Sequence, residues 1–74
     1  MIFKYRKAYA AQLQVNDIIK YSGNHYDVSL VEKMPDSKIR IRGISFFNNS
    51  ILDKQFDRKY EFDVLQINSV GVFS

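Results

Sequence analysis

The stretch His25-Tyr26-Asp27-Val28-Ser29-Leu30-Val31-Glu32-Lys33-Met34-Pro35-Asp36-Ser37-Lys38-Ile39-Arg40-Ile41-Arg42 decides the fold. In an extended chain successive side chains point to opposite faces, so a period of two marks a half-buried strand. Residues 25–33 keep that period, with Tyr26, Val28 and Leu30 on one face and Asp27, Ser29 and Val31 on the other. Residues 38–42 keep it again, Ile39 and Ile41 alternating with Lys38, Arg40 and Arg42. Between them stands the only proline, in Met34-Pro35-Asp36-Ser37, where a fixed φ and a short polar side chain favour a turn. The passage reads as a β-hairpin. Setting Leu30 opposite Ile41 places Val31 beside Arg40, Ser29 beside Arg42 and Lys33 beside Lys38.

The same signals continue on both sides. Upstream, Val15-Asn16-Asp17 reads as a turn and residues 17–21 as a strand. Ser22-Gly23-Asn24-His25 forms a tight hairpin in which Gly23-Asn24 supplies positive φ. Residues 2–6 alternate and suit a first strand or an arm, whereas the three alanines in residues 7–13 suggest a loop or short turn. Downstream, Asn48-Asn49-Ser50 marks a turn and Tyr60-Glu61-Phe62-Asp63-Val64 a strand with its aromatics inward. Short strands with closely spaced turns favour an all-β chain curled into a small closed or half-closed barrel of five to six strands. Residues 1–74 show no repeat, linker or composition break, which predicts one domain with Val28, Leu30, Ile39, Ile41, Phe62 and Val64 in its core.

Composition supports folding and argues against catalysis. Leu, Ile, Val and Phe supply 24 of 74 residues, well above the apolar content of disordered chains. Without cysteine there are no disulfides, thiolate metal sites or cysteine nucleophiles. The single histidine, His25, has no cysteine and no second histidine to work with and reads as a hairpin residue beside Gly23-Asn24. Asp53, Asp57, Glu61 and Asp63 lack metal-ligand spacing and read as a solvated face. Three glycines, scattered, make no phosphate loop. The expectation is a protein that is not an enzyme and uses no metal or cofactor. Apolar runs only a few residues long predict no membrane segment or signal peptide, hence a cytoplasmic location.

Charge is unevenly spread. Residues 1–42 hold eight basic and four acidic groups, a balance of +4, while residues 43–74 balance at −1. Strand spacing puts Lys38, Arg40 and Arg42 on one face at intervals of about 6.5–7 Å. That interval suits phosphates, and arginine forks onto their oxygens. With Lys33 added, these residues make a candidate nucleic-acid face; the alternative is an ordinary solvated strand face. A second candidate interleaves Lys4, Arg6 and Lys7 with Tyr5 and Tyr9, the mixture that phosphate contact and base stacking require. Phe46 and Phe47, adjacent in a strand, would point to opposite faces, leaving one available for protein contact.

Leu13-Gln14-Val15-Asn16-Asp17-Ile18-Ile19-Lys20-Tyr21-Ser22-Gly23-Asn24-His25-Tyr26-Asp27-Val28 runs from turn to strand to glycine hairpin to Tyr and Val. Ile39-Arg40-Ile41-Arg42, Ile51-Leu52-Asp53-Lys54-Gln55-Phe56 and Tyr60-Glu61-Phe62-Asp63-Val64 follow. This order resembles the N-terminal KOW-like, SH3-like barrel of translation elongation factor P and its archaeal and eukaryotic counterparts. The resemblance implies an SH3-like (KOW-like) barrel. Asn16 stands where the family has a turn glycine, and the loop matching the one that carries the family's modified lysine, residues 32–38, has no glycine. The family's later domains have no counterpart in these residues, which predicts a stand-alone relative of the barrel.

The function expected from these readings is a non-catalytic module that binds RNA, DNA or a nucleoprotein machine such as the ribosome or RNA polymerase. The residues expected to touch the nucleic acid are Lys33, Lys38, Arg40, Arg42, Lys4, Arg6, Lys7 and Tyr9. The alternative is a small protein-interaction module or inhibitor of phage or mobile-element type, acting on a protein target through Phe46 or Phe47.

Overall fold

The computed structural model describes residues 4–66, so Ile2 and Phe3 of the expected first strand lie outside it. Six strands follow one another: β1 (Lys4–Tyr9), β2 (Ile18–Tyr21), β3 (Asn24–Met34), β4 (Lys38–Ser45), β5 (Ile51–Asp57) and β6 (Glu61–Gln66). A single 3-10 turn, Ala10–Gln12, links β1 to the β2 region. All pairings are antiparallel, in one sheet of order β1-β6-β2-β3-β4-β5. Among the described residues no helix is long and apolar enough to cross a membrane.

Local chemistry explains the turns. Tyr21 pairs with Asn24, leaving a two-residue loop in which Ser22 (φ 52°) and Gly23 (φ 82°) both take positive φ. That is the turn whose twist matches a hairpin. The positive φ falls one residue earlier than expected, on Ser22-Gly23 rather than Gly23-Asn24. Asn16, standing in for a glycine, has φ 80°, and Asn49 has φ 57°. Asn tolerates this region because its short amide bonds locally. Pro35, Asp36 and Ser37 form a three-residue loop between Met34 and Lys38.

Local propensity loses to pairing at one place. Lys7, Ala8 and Tyr9, expected in a loop or short turn, continue β1 because they pair with Asp63, Phe62 and Glu61 of β6. The alanine signal survives only as the 3-10 turn. A small side chain at Ala8 leaves room for Phe62 opposite it, and both are buried.

The hairpin of residues 25–42 is present, but its register is one residue from the expected one. Leu30 pairs with Arg42, Val31 with Ile41, Glu32 with Arg40, Lys33 with Ile39 and Met34 with Lys38. The cause is a bulge between Val28 and Leu30. An extra residue reverses which side chains face inward beyond it. Tyr26 and Val28 are buried before the bulge; after it Leu30 and Val31 are both half-buried, and Val31 is the one that packs on the core. The Ser29 hydroxyl donates to the Arg42 carbonyl (3.2 Å), tying the bulge to β4. On its other edge β3 is held by the Asn16 turn: Asn16 N–H donates to the Val28 carbonyl and Val28 N–H to the Asp17 carbonyl, each at 2.8 Å.

The sheet curls into a half-closed, barrel-like form. Its end strands, β1 and β5, do not pair with each other among the described residues. Side chains bridge the interior instead. Phe56 of β5 meets Phe62 of β6 edge-to-face at 4.9 Å and Tyr21 of β2 at 5.3 Å. Lys54, pointing inward from the edge strand, donates to the Tyr21 hydroxyl (3.1 Å) with its ammonium 5.7 Å from that ring's centroid. This bond raises the lysine's pKa. An inward lysine also discourages edge-to-edge association of β5. Five of the six expected core residues, Val28, Ile39, Ile41, Phe62 and Val64, are buried, joined by Ala8, Ala10, Leu13, Ile19, Tyr26, Leu52 and Phe56.

Candidate nucleic-acid interface

β4 alternates strictly, so Lys38, Arg40 and Arg42 share its outer face as expected. The register decides what surrounds them. Lys38 stands opposite Asp57 and Arg42 opposite Asp53 on β5, while Glu32 stands opposite Arg40 on β3. Arg40 is gripped by Asp53 through two bonds, Nε to Oδ1 at 2.9 Å and Nη2 to Oδ2 at 2.8 Å, and it approaches Glu32 at 3.5 Å. Its fork is therefore already filled by a carboxylate of the same shape as a phosphate edge. Lys33 lies across from Ile39, on the opposite face of the sheet from Arg40. The four expected residues do not form one patch.

The Arg40 to Asp53 pair has a consequence in acid. The guanidinium bond holds the Asp53 carboxyl below the ordinary carboxylate range. A carboxylate with a lowered folded-state pKa contributes stability above its unfolded pKa, and that contribution is lost as pH falls through the folded value. Asp53→Asn should therefore lower the urea midpoint at neutral pH and converge with wild type as pH falls through the lowered carboxylate pKa. The effect is modest because the pair is exposed. A gap between the two proteins that stays constant across pH would refute this role for the pair.

The N-terminal candidates divide in the same way. Alternation along β1 puts Tyr5, Lys7 and Tyr9 on one face and Lys4 and Arg6 on the other. Lys7 pairs with Asp63 at 2.6 Å, which raises the lysine's pKa, and Arg6 reaches Asp17 at 3.7 Å. Lys4 forms no ion pair among the described residues.

A basic cluster forms elsewhere, at the turn end of the hairpin. Ser37 accepts a bond from the Arg58 backbone N–H (3.1 Å), drawing the β5–β6 turn onto the Pro35 loop. Lys33, Lys38 and Arg58 then line one shallow cleft with Ala11, Met34, Ser37 and Ile39, and no carboxylate lines it. None of the three cations makes an ion pair among the described residues. Arg58 was not among the residues expected from the sequence. Its only sequence signal is the Asp57-Arg58-Lys59 break between strands, which does not say which turn it joins.

The other end of the hairpin carries aromatic and apolar side chains. Phe46 and Phe47 do not lie in a strand, since β4 ends at Ser45. Both sit in the turn and both are exposed, 54% and 75%. The expectation that they lie in a strand and point to opposite faces fails because β4 ends before them. Phe46 shares a shallow groove with Val15 and Ile44, and Ile44 pairs with exposed Ile51. His25, expected only to shape a hairpin, touches both Tyr5 and Phe47.

No family model matches the chain, and no curated protein matches it in sequence. In fold it is similar to the translation initiation factor eif-5a family protein from Naegleria fowleri ATCC 30863, with a TM-score of 0.74 and 13% identity. The match covers 84% of this chain and 47% of that one, so the chain spans less than half that protein's length. At this identity the likeness is one of fold: six antiparallel strands in the barrel-like kind of domain that the resemblance to translation-factor barrels implies.

Proposed function

We propose that the chain is a non-catalytic binding module of the cytoplasm that contacts single-stranded nucleic acid, alone or within a nucleoprotein machine such as the ribosome. The observation that carries this reading is the shallow cleft lined by Lys33, Lys38 and Arg58, from β3, β4 and the β5–β6 turn, with no carboxylate among its lining residues. Lys33, Lys38 and Arg58 form no ion pair among the described residues, so they are available to a polyanion, and releasing its counter-ions drives binding. The fold likeness to a translation initiation factor family protein agrees with a role on a nucleoprotein. Arg40, which already holds Asp53, is the least available cation of the expected set.

Changing Lys33, Lys38 and Arg58 together to Gln should weaken binding to a single-stranded oligonucleotide at low salt. It should also flatten the plot of log affinity against log salt by about 2, since each phosphate that is no longer neutralised takes about 0.7 from the slope. Arg40→Gln should leave that slope close to the wild-type value. Wild type with no affinity for RNA or DNA at low salt would overturn the reading. A second reading, protein contact, is favoured by the exposed cluster of Val15, Ile44, Phe46 and Ile51. It predicts partner binding that ignores salt, survives the triple change and disappears in Phe46→Ala.

A further inference from the structure

Three aromatic rings from distant parts of the chain meet on the outer face of the sheet. Tyr5 comes from β1, His25 from β3 and Phe47 from the β4–β5 turn. The Tyr5 hydroxyl and His25 Nε2 are 2.7 Å apart, their ring centroids are 5.9 Å apart and their planes differ by 26°. A hydrogen bond to an imidazole nitrogen lies near the ring plane, so the two rings are set side by side, as paving, rather than face to face. Phe47 meets His25 nearly edge-on, at 6.1 Å and 68°, and stands against that paving as a wall. Its turn is anchored beneath the histidine, because Phe46 N–H donates to the His25 carbonyl (3.1 Å) and Phe47 N–H to Ser45 Oγ (3.2 Å). The Lys20 ammonium lies over the Tyr5 ring, 5.7 Å from its centroid, on a flexible stem that a base stacking on that face would displace toward the phosphate.

We propose that Tyr5, His25 and Phe47 form a stacking subsite for an unpaired nucleobase, with Lys20 meeting the adjoining phosphate. Tyr5 is 39% exposed and Phe47 75%, far more than core packing of such rings requires. Two rings held nearly coplanar by a hydrogen bond make a surface larger than either ring, and every base has a flat π-face to lay on it. An adjacent cation completes the pairing of stacking platform and backbone contact by which proteins hold single strands without reading sequence. An aliphatic protein partner would gain little from this arrangement, whereas the apolar cluster around Ile44 and Phe46 suits one better. The inference rests on the nucleic-acid reading above, yet the two sites lie at opposite ends of β3. Eight residues separate His25 from Lys33, about 27 Å of extended strand, so each can be removed without touching the other.

The test compares a short single-stranded oligoribonucleotide with an abasic strand of the same length and charge. Wild type should bind the base-bearing strand about tenfold more tightly. Phe47→Ala, which removes the wall and leaves the Tyr5–His25 surface, should narrow that difference while keeping the salt dependence, because the subsite acts through π-faces and the cleft through phosphates. Phe47→Trp should restore it and add a reporter to a chain that has no tryptophan, its emission quenched by the base-bearing strand alone. Both substitutions fall at an exposed turn residue, so folding is not at issue. Equal affinity of wild type for the two strands would overturn the subsite and leave the basic cleft standing. No binding of either strand at low salt would overturn both.

Discussion

Phe62→Ala is expected to unfold most of the protein at room temperature. Phe62 is 2% exposed and sits on β6 at the centre of the curled sheet. Its ring meets Phe56 at 4.9 Å and 77°, Tyr60 at 4.8 Å and 62°, and Tyr21 at 6.2 Å. These ring contacts do the bridging that hydrogen bonds between β5 and β1 would do in a closed barrel, so the Phe62 ring fills the core and also holds the curl. Truncating a buried Phe costs about 3–5 kcal/mol, and edge-to-face partners add to the burial term. A domain of this size rarely has more than about 3–5 kcal/mol from its core. The two figures are equal, which leaves little net stability. Urea denaturation followed by circular dichroism should show no folded baseline for Phe62→Ala. Phe47→Ala, changing the most exposed aromatic ring among the described residues, should unfold with the wild-type midpoint to within about 0.5 kcal/mol. A Phe62→Ala protein with an undiminished midpoint would show that the sheet is not held by this cluster.

Gly43 is expected to be nearly as sensitive, for a reason that concerns backbone rather than side chain. It lies in β4 opposite Val28, directly before the bulge in β3. A Cβ there would meet the Asp27 carbonyl oxygen at 3.0 Å and the Tyr26 Cβ at 3.1 Å. The first obstacle is main chain engaged in the sheet, and the second belongs to a buried residue, so neither gives way without disturbing the β3–β4 pairing. Gly43→Ala should therefore destabilise by about 1–3 kcal/mol, the usual cost of overpacking. That outcome opposes the gain of roughly 0.5–1 kcal/mol expected when a glycine inside a strand is replaced by alanine. Gly43→Val, with two further methyls aimed at the same strand, should fail to fold. Thermal or urea unfolding decides the matter; a Gly43→Ala protein at least as stable as wild type would mean that β3 can retreat at no cost.

The two substitutions probe different levels of the same fold. Phe62 was legible in the sequence because a Tyr-x-Phe-x-Val alternation assigns its face directly. Gly43 was not, since nothing in Arg42-Gly43-Ile44 announces that another strand's backbone passes close by. The candidate sites divide along the same line. Lys33 and Lys38 flank the Pro35 turn in sequence and share a cleft in space, but Arg58 reaches it only through its bond to Ser37. Arg40 and Arg42 were correctly placed on one face, yet the acids opposite them come from β5 and β3, whose registers are not written in β4.

By itself the sequence determined what depends on neighbouring residues. Period-two alternation set the strands, and the conformational freedom of Asn16, Gly23 and Asn49, with the fixed φ of Pro35, set the turns. Each of these is a property of a few consecutive residues and survives wherever the segment goes. Tertiary structure alone decided what depends on pairing. The bulge at Ser29 turned Leu30 outward and Val31 inward, because one extra residue in a period of two reverses every face beyond it. Pairing with β6 drew Lys7, Ala8 and Tyr9 into a strand against their local preference. Pairing of β4 with β5 brought Asp53 onto Arg40, and the strand order brought Tyr5 onto His25, contacts between segments 13 and 20 residues apart whose energies no local pattern contains.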